Sequence, residues 1–130
     1  MTLTVWVDDW QMQCCGEDFA PGDVVSWQLL EADPEDYADV VGEDLAAGID
    51  FHEEHHGEGE GAPTALEVLT VNEVHCRLAV TAGSAERMHR PVPGSTVLVA
   101  AEKADGWAKE RPGVRFSGYL VTARRVADPP

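Results

Sequence analysis

The chain of 130 residues is 44% hydrophobic and carries a formal net charge of −15, from 24 acidic and nine basic residues. That is enough for one domain with a true core and too little for two. A field of that sign repels a phosphate backbone and argues against nucleic-acid partners, and the lack of any run of about 18 apolar residues argues against a transmembrane helix.

The first stretch, Thr2–Gly22, sets the pattern. Leu3, Val5 and Val7 alternate with Thr2, Thr4 and Trp6, the period of a strand. Asp8 and Asp9 cannot both lie in a dry core without partners, so a bulge or strand end is expected there. Cys14 and Cys15, as neighbours in an extended chain, face opposite ways, and a strained disulfide between them is not expected. Three cysteines, an odd number without a dense framework, fit a reducing cytoplasm. The N-terminus lacks the basic start and apolar run of a signal peptide. A turn after Gly16, with Phe19 over the open end of the core, leads into a second strand, Val24–Leu30, apolar enough to be buried on much of both faces. Asp33 as N-cap and Pro34 at the first helical position then open one short amphipathic helix that runs to Ala47. Tyr37, Val40, Val41 and Leu45 share its apolar face, and Gly42 weakens it.

Residues 49–63 contain the low-complexity run Gly57–Gly61, read as a mobile surface loop. Ala65–Val80 has strand character with a phase shift between Val68 and Val71, which predicts a bulge. A loop over 81–94, a strand over 95–102, a polar connection over 104–113 carrying Trp107 and a last strand over 115–126 follow. Gly118 marks a bend in that last strand, and Ala127–Pro130 are expected to be disordered. The chain thus reads as mainly β (α+β). It forms a small, partly open β-barrel of five to six strands with one short helix, of the size of OB or SH3-like folds, in a single domain over residues 1–126.

Several residue groups carry chemistry. His52-Glu53-Glu54-His55-His56 fits H-E-x-x-H, which on a helix places two imidazoles on one face for zinc, with Glu53 as general base. The motif here precedes a glycine-rich loop and lacks a third ligand at a suitable spacing, which weighs against a hydrolase. A second metal reading gathers Cys14, Cys15, Cys76 and His75 with His52, His55 or His56 from separate strands, a donor set that suits tetrahedral zinc. Against it stands the reading of Cys76 and one of the vicinal pair as small buried hydrophobes. A cysteine nucleophile is disfavoured by the acidic surroundings, and no phosphate-binding glycine motif is present. Four tryptophans exceed the needs of so small a core, so one or two line a groove or an interface. The surface favoured for a ligand or partner joins Trp6 and Trp10 to Asp8, Asp9 and Glu17.

Charge is split along the chain. Residues 1–76 hold 19 acidic residues and no Lys or Arg, whereas residues 77–130 hold five acidic and nine basic ones. The two parts can pair within one fold or between the subunits of a homodimer.

At VWVDDWQMQCCGEDFAPGDVVSW, HEEHHG and FSGYLV the sequence resembles a family of small uncharacterised actinobacterial proteins, a domain of unknown function. The resemblance spans most of the chain and implies a bacterial cytoplasmic protein with no assigned activity or site residues. The combined reading is a small acidic binding module for a protein or small-molecule partner, without a cofactor. Its rival is a zinc protein using Cys14, Cys15, Cys76, His52 and His56.

Overall fold

The structure, a computed structural model, describes residues 2–9, 12, 17–54, 63–80, 89–92, 94–109 and 111–126. Nine strands are found among them: β1 (Thr2–Asp8), β2 (Val24–Trp27), β3 (Leu29–Glu31), β4 (Phe51–Glu53), β5 (Thr64–Cys76), β6 (Leu78–Val80), β7 (His89–Pro91), β8 (Val97–Ala100) and β9 (Arg115–Arg125). A 3₁₀ turn at Pro34–Asp36 precedes two short helices, α1 (Ala38–Val41) and α2 (Glu43–Ala47).

The main sheet has the strand order β2-β5-β9-β1-β4-β3, with β8 pairing β5 beyond β2 on the same edge, and it is curled into a half-barrel. This is the mainly β, partly open barrel that the alternation predicts. The predicted second strand is cut in two at Gln28. Its first half, β2, pairs β5 at one edge of the sheet, and its second half, β3, pairs β4 at the other. A flat sheet of six strands would hold its outer members about 24 Å apart, whereas the two steps from Trp27 to Leu29 span about 7 Å at most. The sheet therefore has to curl until its edges meet at Gln28.

The curl buries both faces. Val5, Val7, Phe19, Trp27, Leu66, Val68, Val71, Tyr119, Val121 and Ala123 fill the inner core. Trp6, Val74 and Leu120, from the opposite face of the same strands, meet Val41, Ala46 and Ile49 beneath the helical segment. Strand alternation dictates this split: β1 sends Val5 and Val7 one way and Trp6 the other. Two irregularities keep the faces in phase. Between β5 and β9 the register slips at Leu69, as the phase shift in the sequence predicts, and again at Ser117. Next to the second slip, Gly118 pairs with both Asp8 and Val74.

The helical segment departs from the single helix expected. Asp33 accepts from the Glu35 N–H at 3.0 Å and Pro34 sits at the start, as expected. Gly42 then takes φ +89°, a conformation no helix holds, and splits the run. The break turns the second piece so that Ala46 and Ile49 are buried and Leu45 is 42% exposed. Two strands were not legible. β4 is three residues long and pairs in parallel with β1, and β7 lies in the stretch read as a loop, where its backbone pairs with β6. The expected glycine-rich loop and disordered C-terminal tail lie outside the described residues.

A Cβ placed on Gly118 would stand 2.6 Å from the Val7 carbonyl oxygen and 2.7 Å from Cζ2 of Trp6. The first of these is backbone and cannot step aside cheaply. Gly118→Ala is therefore expected to cost about 3 kcal/mol in urea denaturation, the upper range for overpacking, whereas Gly94→Ala, with open space around it but φ +78°, is expected to cost about 1 kcal/mol from backbone strain alone.

Candidate functional site

Where β1 and β5 end and β9 begins, the half-barrel has an open end. The connection over 101–114 crosses this end, and its path is fixed at several points. Phe19 and Ala104 exchange two backbone hydrogen bonds of 3.0 and 2.7 Å. The buried Tyr119 hydroxyl accepts from the Gly106 N–H at 3.0 Å, and the Asp105 carboxylate accepts from the Trp107 N–H at 2.9 Å. Pro112 and Gly113 (φ +79°) then turn the chain between the bridged residues Arg111 and Val114, the proline and positive-φ glycine of a type II turn.

Between this connection and the sheet lies a cleft of about 680 Å³, lined by Asp9, His75, Trp107, Ala108, Lys109, Arg111, Pro112, Val114, Arg115 and Phe116. That volume lies within the range of small-molecule sites, roughly 300–1,000 Å³. The Trp107 indole is 70% exposed, the most exposed large apolar side chain among the described residues. Lys109, Arg111 and Arg115 are exposed beside it, and none forms an ion pair with a carboxylate among the described residues. The basic residues that do form one, Lys103 with Asp18 and Arg124 with Glu67, lie outside the cleft.

The floor is aromatic and polar. His75 is 1% exposed, its Nε2 lies 3.0 Å from Glu73 Oε1, and its ring centroid is 5.6 Å from that of Phe116. Glu73 and His75 are two apart on β5 and so share a face. From Phe116 a chain of ring contacts runs through Tyr119 and Phe19 to Trp27, with centroids 5.0, 6.1 and 4.9 Å apart. The cleft floor is thus continuous with the inner core.

Of the residues singled out from the sequence for a ligand or partner, Trp6, Asp8, Asp9 and Glu17 lie within the described residues. Trp6 is a core residue rather than a contact surface: it is 3% exposed, packs against Tyr37 with centroids 5.3 Å apart, and donates its indole N–H to Asp8 Oδ1 at 2.8 Å. Asp8 ends β1 in that role, and among the described members of the group Asp9 lines the cleft. Glu17 lines a different depression, with Asp18, Asp23 and residues of β2. Trp10 lies outside the described residues.

Of the metal candidates, His52, His75 and Cys76 lie within the described residues. His52 and Glu53 sit on strand β4, not on a helix, and point to opposite faces. Cys76 is buried as a free thiol, 3.4 Å from the Ser117 hydroxyl, and as the neighbour of His75 on β5 it faces the other side. No three His, Cys, Asp or Glu side chains among the described residues are grouped to hold a metal ion. Cys14, Cys15, His55 and His56 lie outside the described residues. No helix among the described residues is long and apolar enough to cross a membrane.

The cleft residues were missed as a group, although the signal is visible in retrospect. WAKERPGVR places a tryptophan and four charges around a Pro-Gly turn, in the part of the chain where the basic residues are concentrated.

Fold and cleft together define a class: an acidic half-barrel β domain with a cationic, tryptophan-bearing cleft at its open end. By its sequence the chain belongs to DUF6578, a family of unknown function whose profile matches residues 1–125. Comparison with curated proteins and with solved structures gives no match.

The two tyrosines, Tyr37 beside the helical segment and Tyr119 on β9, report on the fold. Burial first, then the Asp8 and Asp36 carboxylates, push the Tyr37 phenol from 10.0 up to about 12. Burial likewise raises Tyr119, against the lowering effect of the Gly106 hydrogen bond. Both folded-state values lie above the unfolded one, so their contribution to stability is complete below the unfolded value and is lost as pH climbs through the folded ones, about 12 for Tyr37. Phenolate absorbance should show both groups titrating late, and Tyr37→Phe should flatten the alkaline loss of stability.

Proposed function

We propose that the protein is a small-ligand binding module whose site is the cleft lined by Trp107, Lys109, Arg111, Arg115 and Phe116, and that its ligand is a small anion. The observation that carries this reading is the gathering of Lys109, Arg111 and Arg115 around one cleft in a chain of net charge −15. Three of the nine basic residues converge there without a carboxylate partner among the described residues. Exposed cations in such a protein have 24 acidic groups to pair with. Three exposed cations around one concave surface supply a local positive field there.

The acidic bulk does not cancel that field at contact range. At physiological salt the screening length is about 8 Å, so a bound anion responds chiefly to its immediate neighbours. Arg111 and Arg115 supply planar guanidinium forks that match carboxylate or phosphate oxygens, and Lys109 supplies a mobile point charge.

Charge reversal tests this directly. Arg111→Glu or Arg115→Glu is expected to weaken pyrophosphate binding by isothermal titration calorimetry at least tenfold, the loss of one charge-assisted hydrogen bond of about 1.5 kcal/mol. Lys103→Glu, outside the cleft, should leave the affinity within about twofold. Equal effects at all three positions would mean that binding follows net charge and not this cleft.

A further inference from the structure

We infer that the ligand of the cleft carries a planar aromatic ring as well as its anionic group, and that Trp107 is the stacking surface for that ring. This rests on the anion-binding reading above and adds the chemical class of the ligand.

Two features of the cleft point to a ring. The first is the state of Trp107. An indole left 70% exposed costs hydration free energy, and a loose loop tip would be a simple reason for it. The backbone here is the opposite of loose. Ala104 is bridged to Phe19, Gly106 is held by the buried Tyr119 hydroxyl, and the Trp107 N–H is held by the Asp105 carboxylate. Three successive anchors present a large apolar face to solvent from a fixed position, which is the preorganisation a stacking site needs.

The second feature is the floor. Phe116 and the buried His75 lie with ring centroids 5.6 Å apart and line the same cleft. A ligand that was only an anion would have no use for Trp107 or Phe116, and a purely apolar ligand would have no use for Lys109, Arg111 and Arg115. Flat π-faces beside cations match a flat molecule with a negative end, because ring faces stack with little regard to the ring's substituents while the charges fix its orientation. The negative end can be a phosphate, as in a mononucleotide, or a carboxylate, as in an aromatic acid.

The test is a binding series on the whole chain with inorganic phosphate, adenosine monophosphate, adenosine and 1-naphthoate, repeated with Trp107→Ala and Trp107→Phe. The expected result is that one or both ring-bearing anions bind at least tenfold more tightly than phosphate. Trp107→Ala should abolish that advantage and leave phosphate binding unchanged, while Trp107→Phe should keep most of it. Preference for the nucleotide or for the naphthoate then identifies the phosphate or the carboxylate source. Because Trp107 is exposed, the Ala variant should melt at the wild-type temperature. Ring-bearing anions that bind no better than phosphate, or an advantage that survives Trp107→Ala, would overturn the stacking inference and leave the anion reading intact. Binding of adenosine as tightly as its monophosphate would overturn the anion reading instead, as would the failure of every compound to bind.

Discussion

Trp27 and Leu29 lie on opposite edges of one sheet with Gln28 alone between them. That short step forces the edges together, and much of the architecture follows from it. A sheet that must curl this tightly needs places where the ladder gives, and the slips at Leu69 and Ser117 supply them. It also needs a position where β1 and β9 come closer than side chains allow, and Gly118 supplies that by leaving room for Trp6 and the Val7 carbonyl. The Gln28 carbonyl accepts from the Glu54 N–H at 3.0 Å, tying the corner to the residue after β4. Closing the edges in this way also reduces the unpaired strand surface that a small open sheet would expose.

The same curl determines where a site can be. β1 and β5 end, and β9 begins, at one rim. The rim is crossed by a connection whose anchors, Phe19 and Tyr119, belong to the inner core. The rigid core thus positions Trp107 and the neighbouring cations, although they sit on a loop. This arrangement is common for binding residues: a scaffold fixes the loop and the loop carries the chemistry. The charge split along the sequence acquires a spatial meaning as well. The acidic first part builds β1 to β5 and the helices, while three basic residues of the second part gather at the rim.

Legibility from sequence followed burial. The alternation in β1, the phase shift within β5 and the glycine of β9 are imposed by the two packed faces, so the mainly β, partly open barrel could be read from them. The Asp33-Pro34 helix start is local chemistry and was equally readable. What could not be read depends on tertiary partners. β4 is too short to show a period and exists because β1 offers it a parallel edge. The division of the second strand at Gln28 reflects the closure of the sheet, and no local pattern encodes it. For the site, Trp6 misled because its neighbours Asp8 and Asp9 suggested a wet face, whereas the helical segment covers it and Asp8 satisfies its N–H. Trp107 could not be told from the other tryptophans as the groove residue, because it lies in a polar connection without periodicity and its position rests on anchors far away in sequence.

The most direct test of the account is to locate a bound ligand residue by residue. Amide chemical-shift mapping of the isotopically labelled protein, titrated with pyrophosphate, would do so. The expected perturbations centre on Trp107, Lys109, Arg111, Arg115 and His75, and fade along β9 toward Arg125. Perturbations centred on the depression beside Glu17 and Trp27, or spread evenly over the basic residues, would contradict a ligand site at the open end of the half-barrel.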